Sequence, residues 1–189
     1  MSKPDLTPTP KESLQERPWT APQVERQRPS HQSQERIALE EWLDYHRATL
    51  LLKCAGLTSD QLKERAVPPS SLSLLGLVRH MTEVERWWFR MHADQQNLEF
   101  PYDPLQTGAD FNELETADSK GHLEAYLSEI QAAKEAVADK TLEQKVLSRR
   151  DTSESLNIRW IYLHMIEEYA RHNGHADLLR ERIDGQTGY

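Results

Sequence analysis

One stretch constrains the fold of this chain more than any other: Ile161-Tyr-Leu-His-Met-Ile-Glu-Glu-Tyr-Ala-Arg-His-Asn-Gly-His-Ala-Asp-Leu-Leu. It contains no proline, and its apolar residues recur every three or four positions, as on one face of a helix. On a helical wheel Ile161, Met165, Glu168, His172, Ala176, Leu179 and Ile183 fall within about 100° of arc, the width of a core-facing stripe. A carboxylate and an imidazole thus sit in the middle of an apolar stripe. An unpaired charge in a core is very costly, so Glu168 needs a cation or a set of donors. A divalent metal meets that need directly.

The rest of the chain repeats the helical period. Leu39, Trp42, Leu43, His46, Leu50 and Cys54 share one face of a first helix, and Gly56 follows it in the position where a left-handed residue ends helices. Val67-Pro-Pro-Ser closes a linker. A second helix starts at Ser71 or Leu72 and fades near Ala93, with Leu74, Leu77, Val78, Met81, Val84, Trp88 and Met91 as its stripe and His80 and Trp87 on one flank. A third, Ser119 to Asp139, carries Leu123, Leu127, Ile130, Ala133 and Val137; a fourth spans Ser155 to Asp184 and ends at Gly185. Alternating strand patterns are absent. The connection 94–118 is too long for a tight antiparallel turn and suits a crossover. The pattern predicts an all-α fold, a four-helix bundle over residues 33–189 with a long crossover. Residues 1–32 hold six of the ten prolines and no apolar period, which predicts a disordered arm in which Trp19 is solvated.

A net charge of −8 argues against nucleic acid or an anionic membrane as partner. No apolar run approaches the ~20 residues of a membrane helix. No apolar segment follows Met-Ser-Lys-Pro-Asp at the start of the sequence, so a cytoplasmic protein acting on a small molecule is expected. The single cysteine, Cys54, forms no internal disulfide and reads as a small buried apolar residue.

Glu168 and His172 are four apart, one above the other on a helix face, and both can grip one ion. A third ligand must come from another helix, and His80 is placed for it. Two imidazoles and one carboxylate suit zinc first, with nickel, iron or manganese as alternatives. Three protein ligands leave a coordination position open, the pattern of catalytic rather than structural sites. His175, one turn beyond His172, is a candidate proton carrier. His46, on the first stripe, is a candidate fourth ligand or general base; a neutral core histidine is the competing account. His164 reads as packing behind the ligands, and His31, His92 and His122 as surface or tail residues. Trp87 is a candidate pocket wall beside His80, and Arg149 a candidate anchor for an anionic group.

Leu77-Val-Arg-His-Met-Thr-Glu-Val-Glu-Arg-Trp-Trp and His164-Met-Ile-Glu-Glu-Tyr-Ala-Arg-His-Asn-Gly-His-Ala-Asp-Leu-Leu-Arg-Glu together resemble the DinB-like superfamily, and more narrowly an actinobacterial branch of it. The resemblance covers about residues 35 to 185. It implies a four-helix bundle with a long crossover and a metal triad of one histidine on the second helix and two residues spaced i, i+4 on the last. In the mycothiol-dependent maleylpyruvate isomerase branch these are His, Glu and His, which here fall on His80, Glu168 and His172. Many members have His in place of Glu168 and Gln in place of His175, so this chain departs from the commoner pattern on the substrate side. The resemblance further implies a low-molecular-weight thiol cofactor, mycothiol or bacillithiol, and an S-transferase or isomerase reaction, with homodimers common. Two other readings stand beside it: a metal-dependent hydrolase, and a non-catalytic, stress-linked binding or dimerising bundle.

Overall fold

A computed structural model describes residues 18–102 and 108–188. The first seventeen residues of the expected arm lie outside the described residues. Helix α1 spans Glu35–Cys54, the short α2 Ser59–Lys63, α3 Leu74–Glu85, α4 Ser119–Val137 and α5 Ile158–Asp184. Helix α3 continues without a break into a π-helical segment, Arg86–Ala93.

Side-chain pairs fix how the four long helices run. Tyr162 donates to Glu40, Asn173 to the His46 carbonyl and Arg180 to the Lys53 carbonyl, so α1 and α5 are parallel. Helix α3 and its extension run against α5: Trp88 meets His164, Glu85 meets Tyr169, and His80 meets His172. At the start of α4, Ser119 meets Ser59, while Glu129 further on takes bonds from Arg86 and Arg90; α4 is therefore parallel to α3. Two consecutive parallel helices require the chain to return along the bundle between them. The connection between them, described over residues 94–102 and 108–118, belongs to that crossover, as the all-α reading expects.

The interior is mostly apolar. Leu43, Leu50, Leu74, Leu77, Met81, Ile161 and Met165 are fully buried, as their spacing predicts, and Ile158 is buried with them. Among them lies an ion pair: Arg47 grips Glu85 through both oxygens at 2.7 and 2.6 Å. Tyr169 donates to Glu85 at 2.6 Å, and Tyr126 and Tyr169 share a further bond at 2.8 Å. This network joins all four long helices.

Several local features depart from the sequence reading. Residues 18–32, expected as part of the arm, lie on the body. Ala21 is buried and exchanges backbone bonds with Gly56 and Leu57, and Trp19 packs against the core. Helix α2 was not expected, although Thr58-x-x-Gln61 is a capping box whose two reciprocal bonds are both formed. Helix α5 begins at Ile158, capped by the Asn157 side chain; residues Ser155–Asn157 instead pair with Lys145–Leu147 as a two-stranded antiparallel ribbon. Trp42 and Leu127, assigned to core stripes, are about half exposed at 47% and 48%. His92, assigned to the surface, is fully buried. It donates from Nδ1 to the Trp87 carbonyl and accepts at Nε2 from the Arg149 N–H. Gly56 and Gly185 do end their helices at φ +77°, as expected of C′ glycines.

Candidate metal centre

Three elements converge on one point between α3 and α5. His80 comes from α3, Glu168 and His172 come from successive turns of α5, and the crossover closes over His80. One ligand atom from each of His80, Glu168 and His172 lies within 4.8 Å of the others. Metal–nitrogen and metal–oxygen bonds are about 2 Å, so the three donors stand at the spacing a shared ion requires after small side-chain adjustments.

Each donor is prepared for that role by its neighbours. The Nδ1–H of His80 donates to Asp110 at 2.7 Å, which leaves Nε2 with its lone pair free. Asp110 is buried, in a 3₁₀ turn of the crossover. A carboxylate behind a metal-ligating imidazole fixes the tautomer and ring direction and raises the basicity of the donor nitrogen. The crossover reaches α3 because residue 76 is glycine: a Cβ there would stand 2.5 Å from the Phe111 ring, which lies beside His80 at 5.6 Å. Arg79 secures the same turn by donating to the Ala109 and Asn112 carbonyls.

His172 presents Nε2 to Glu168 at 3.5 Å, while its Nδ1 lies 3.4 Å from Nδ1 of His175. Burial, with the His80, His175 and Arg171 charges, pushes its pKa down to about 4. At neutral pH the imidazole is therefore uncharged, the form that ligates metals. Glu168 is only 16% exposed. Its other oxygen faces His164 Nε2 at 3.4 Å. Two imidazoles and one carboxylate with one buried carboxylate behind them make a donor set suited to a divalent cation.

The remaining candidates lie at different distances from this point. His175 stands directly behind His172. His46 does not join the group; it lies in the α1–α5 seam, bonded through its carbonyl to Asn173 and flanked by the Trp42 and Tyr45 rings. Asn173 follows His172 in sequence but points about 100° away around the helix. Trp87 packs on His92 and Phe100, two turns from His80. Arg149 uses its guanidinium on the carbonyls of Met91, Gln95 and Gln96, closing the end of the π-helical segment. Asp110 was missed by sequence reasoning, because nothing in the spacing of the crossover ties it to α3. Cys54 is fully buried, and burial pushes its thiol up to about 12.

The family model for mycothiol-S-transferase matches residues 38–185. The chain belongs to that family, within the DinB-like superfamily. No curated protein and no solved structure matches it. No helix among the described residues is long and apolar enough to cross a membrane.

Proposed function

We propose that this member of the mycothiol-S-transferase family is a metal-dependent enzyme that transfers a low-molecular-weight thiol, mycothiol in the first instance, to an electrophilic carbon of a small molecule. The observation that carries the reading is the convergence of His80, Glu168 and His172 within 4.8 Å. These three would hold a divalent ion, zinc first. When bound, such an ion supplies the Lewis acidity that keeps a thiol, with a free pKa of about 8.5, in its thiolate form at neutral pH.

The chain's own groups do the rest. Asp110 orients His80 through the 2.7 Å bond. Glu168 contributes a negative charge that offsets the cation. His175, beside His172, relays the proton released by the thiol to solvent. The thiolate sulfur then forms a bond to the electrophilic carbon, and the leaving group departs with its electron pair. Cys54 takes no part, since it is buried and held in the thiol form.

Calorimetric titration with mycothiol in buffers of different ionisation enthalpy tests this. Zinc-loaded protein is expected to bind the thiol and release about one proton at neutral pH, as the free thiol is mostly protonated there. His80→Ala is expected to lose both effects. Equal binding and proton release by His80→Ala would refute the assignment.

A further inference from the structure

The face of α5 that carries Glu168 and His172 extends one turn further back, to His164. We infer that His164, Glu167 and Glu168 form a second cation-binding position beside the first, with Glu168 shared between the two. The inference rests on the reading of the first site.

The geometry divides Glu168 between two sides. One oxygen, Oε2, faces His172 Nε2 at 3.5 Å, and the other, Oε1, faces His164 Nε2 at 3.4 Å. Glu167 Oε2 lies 3.6 Å from His164 Nδ1. One ligand atom from each of His164, Glu167 and Glu168 lies within 4.8 Å of the others, the same limit that holds for the first group. The spacings are i, i+3 and i+4, so a single helix supplies all three donors.

His164 is oriented for the task. Its ring stacks on Trp160 at 5.0 Å with 12° between planes, and meets Trp88 edge-on at 4.6 Å. This packing fixes the imidazole with its nitrogens toward the carboxylates. Arg171 is the cation now serving them, bonded to Glu167 and 3.7 Å from Glu168. Its side chain is 51% exposed, so it is free to swing into solvent. Glu167 is 52% exposed, which leaves water able to complete the coordination of an ion. The donors are imidazole and carboxylate, a set that takes manganese, iron, cobalt or zinc as divalent ions. A second cation here would give an anionic or oxygen-bearing electrophile a charge to bind next to the thiol, as paired metals clamp the two reacting groups in other enzymes.

Equilibrium dialysis against Mn(II) alone, with metal counted by mass spectrometry and spin coupling followed by paramagnetic resonance, tests the inference. Wild-type protein is expected to hold about two ions per chain, magnetically coupled at the ~3.5–4 Å separation of two-metal sites. Glu167→Gln and His164→Ala are each expected to hold one ion and to lose the coupling. Glu167 is exposed, so its variant tests the site without threatening the fold. A second ion retained by either variant would place that ion elsewhere and overturn the inference. One ion in the wild type would overturn it while leaving the first site standing, and none would remove both.

Discussion

The buried ion pair gives the sharpest test of how the bundle holds its shape. Arg47 is 5% exposed and Glu85 0%. Arg47→Met removes both bonds to Glu85, at 2.7 and 2.6 Å, and leaves the carboxylate with the Tyr169 hydroxyl as its remaining donor among these groups. Removing one partner of a buried pair costs about 3–5 kcal/mol, because the survivor keeps its desolvation penalty without its compensation. For a chain of this size about 2–4 °C of Tm is lost per kcal/mol, so the variant is expected to melt about 6–20 °C lower than wild type. The double change Arg47→Met with Glu85→Leu removes both charges and is expected to recover most of the loss. Urea unfolding of wild type, both single variants and the double variant closes the cycle. A loss below about 1 kcal/mol in Arg47→Met would refute the reasoning, since that is the range of solvated pairs. The pair also bears on the site, because Glu85 and Tyr169 lock α3 to α5 beside the turns that carry His80, Glu168 and His172.

Other predictions follow from single contacts. Asp110→Ala is expected to weaken zinc binding about 10–100-fold by competition against a chelator, the usual cost of losing the carboxylate behind a metal histidine; unchanged affinity would show that Asp110 does not orient His80. Cys54, with its thiol raised to about 12, is expected to resist thiol reagents in the folded protein at about pH 8 and to react on unfolding; fast labelling of the native state would contradict its burial. His92 is expected to link stability to pH. Burial lowers its folded pKa, so the folded protein favours the neutral ring. Its contribution is complete above the unfolded value of about 6.5 and is lost as pH falls through that value toward the folded one. The urea midpoint of His92→Gln should therefore fall less steeply than that of wild type between about pH 7.5 and 5.

Much of the fold is legible in the sequence because helical periodicity is a long-range signal. The burial of Leu43, Leu77, Met81, Ile161 and Met165 follows from spacing alone. The triad is legible for a related reason: Glu168 and His172 interrupt an apolar stripe, and a charged residue in a stripe asks for a partner. Other features escape because they depend on contacts distant in sequence. Trp42 sits on the first stripe yet is half exposed, since the stripe of α1 is wider than the face its neighbours cover. His92 looks like the polar end of a fading helix; the π-helical turns and the Arg149 backbone enclose it. Asp110 becomes part of the site only because Gly76 lets the crossover touch α3. Residues 18–34 have no period to read, yet Ala21 and Trp19 find places on the body through backbone pairing with the loop after α1.

The central claim is that two imidazoles and one carboxylate, drawn from two helices, hold a common ion. X-ray absorption at the zinc edge, on protein loaded with about one equivalent, measures that coordination directly. The account predicts two imidazoles at about 2.0–2.1 Å in the wild type and one in His80→Ala, with weaker retention of zinc. An unchanged zinc environment in His80→Ala would contradict it.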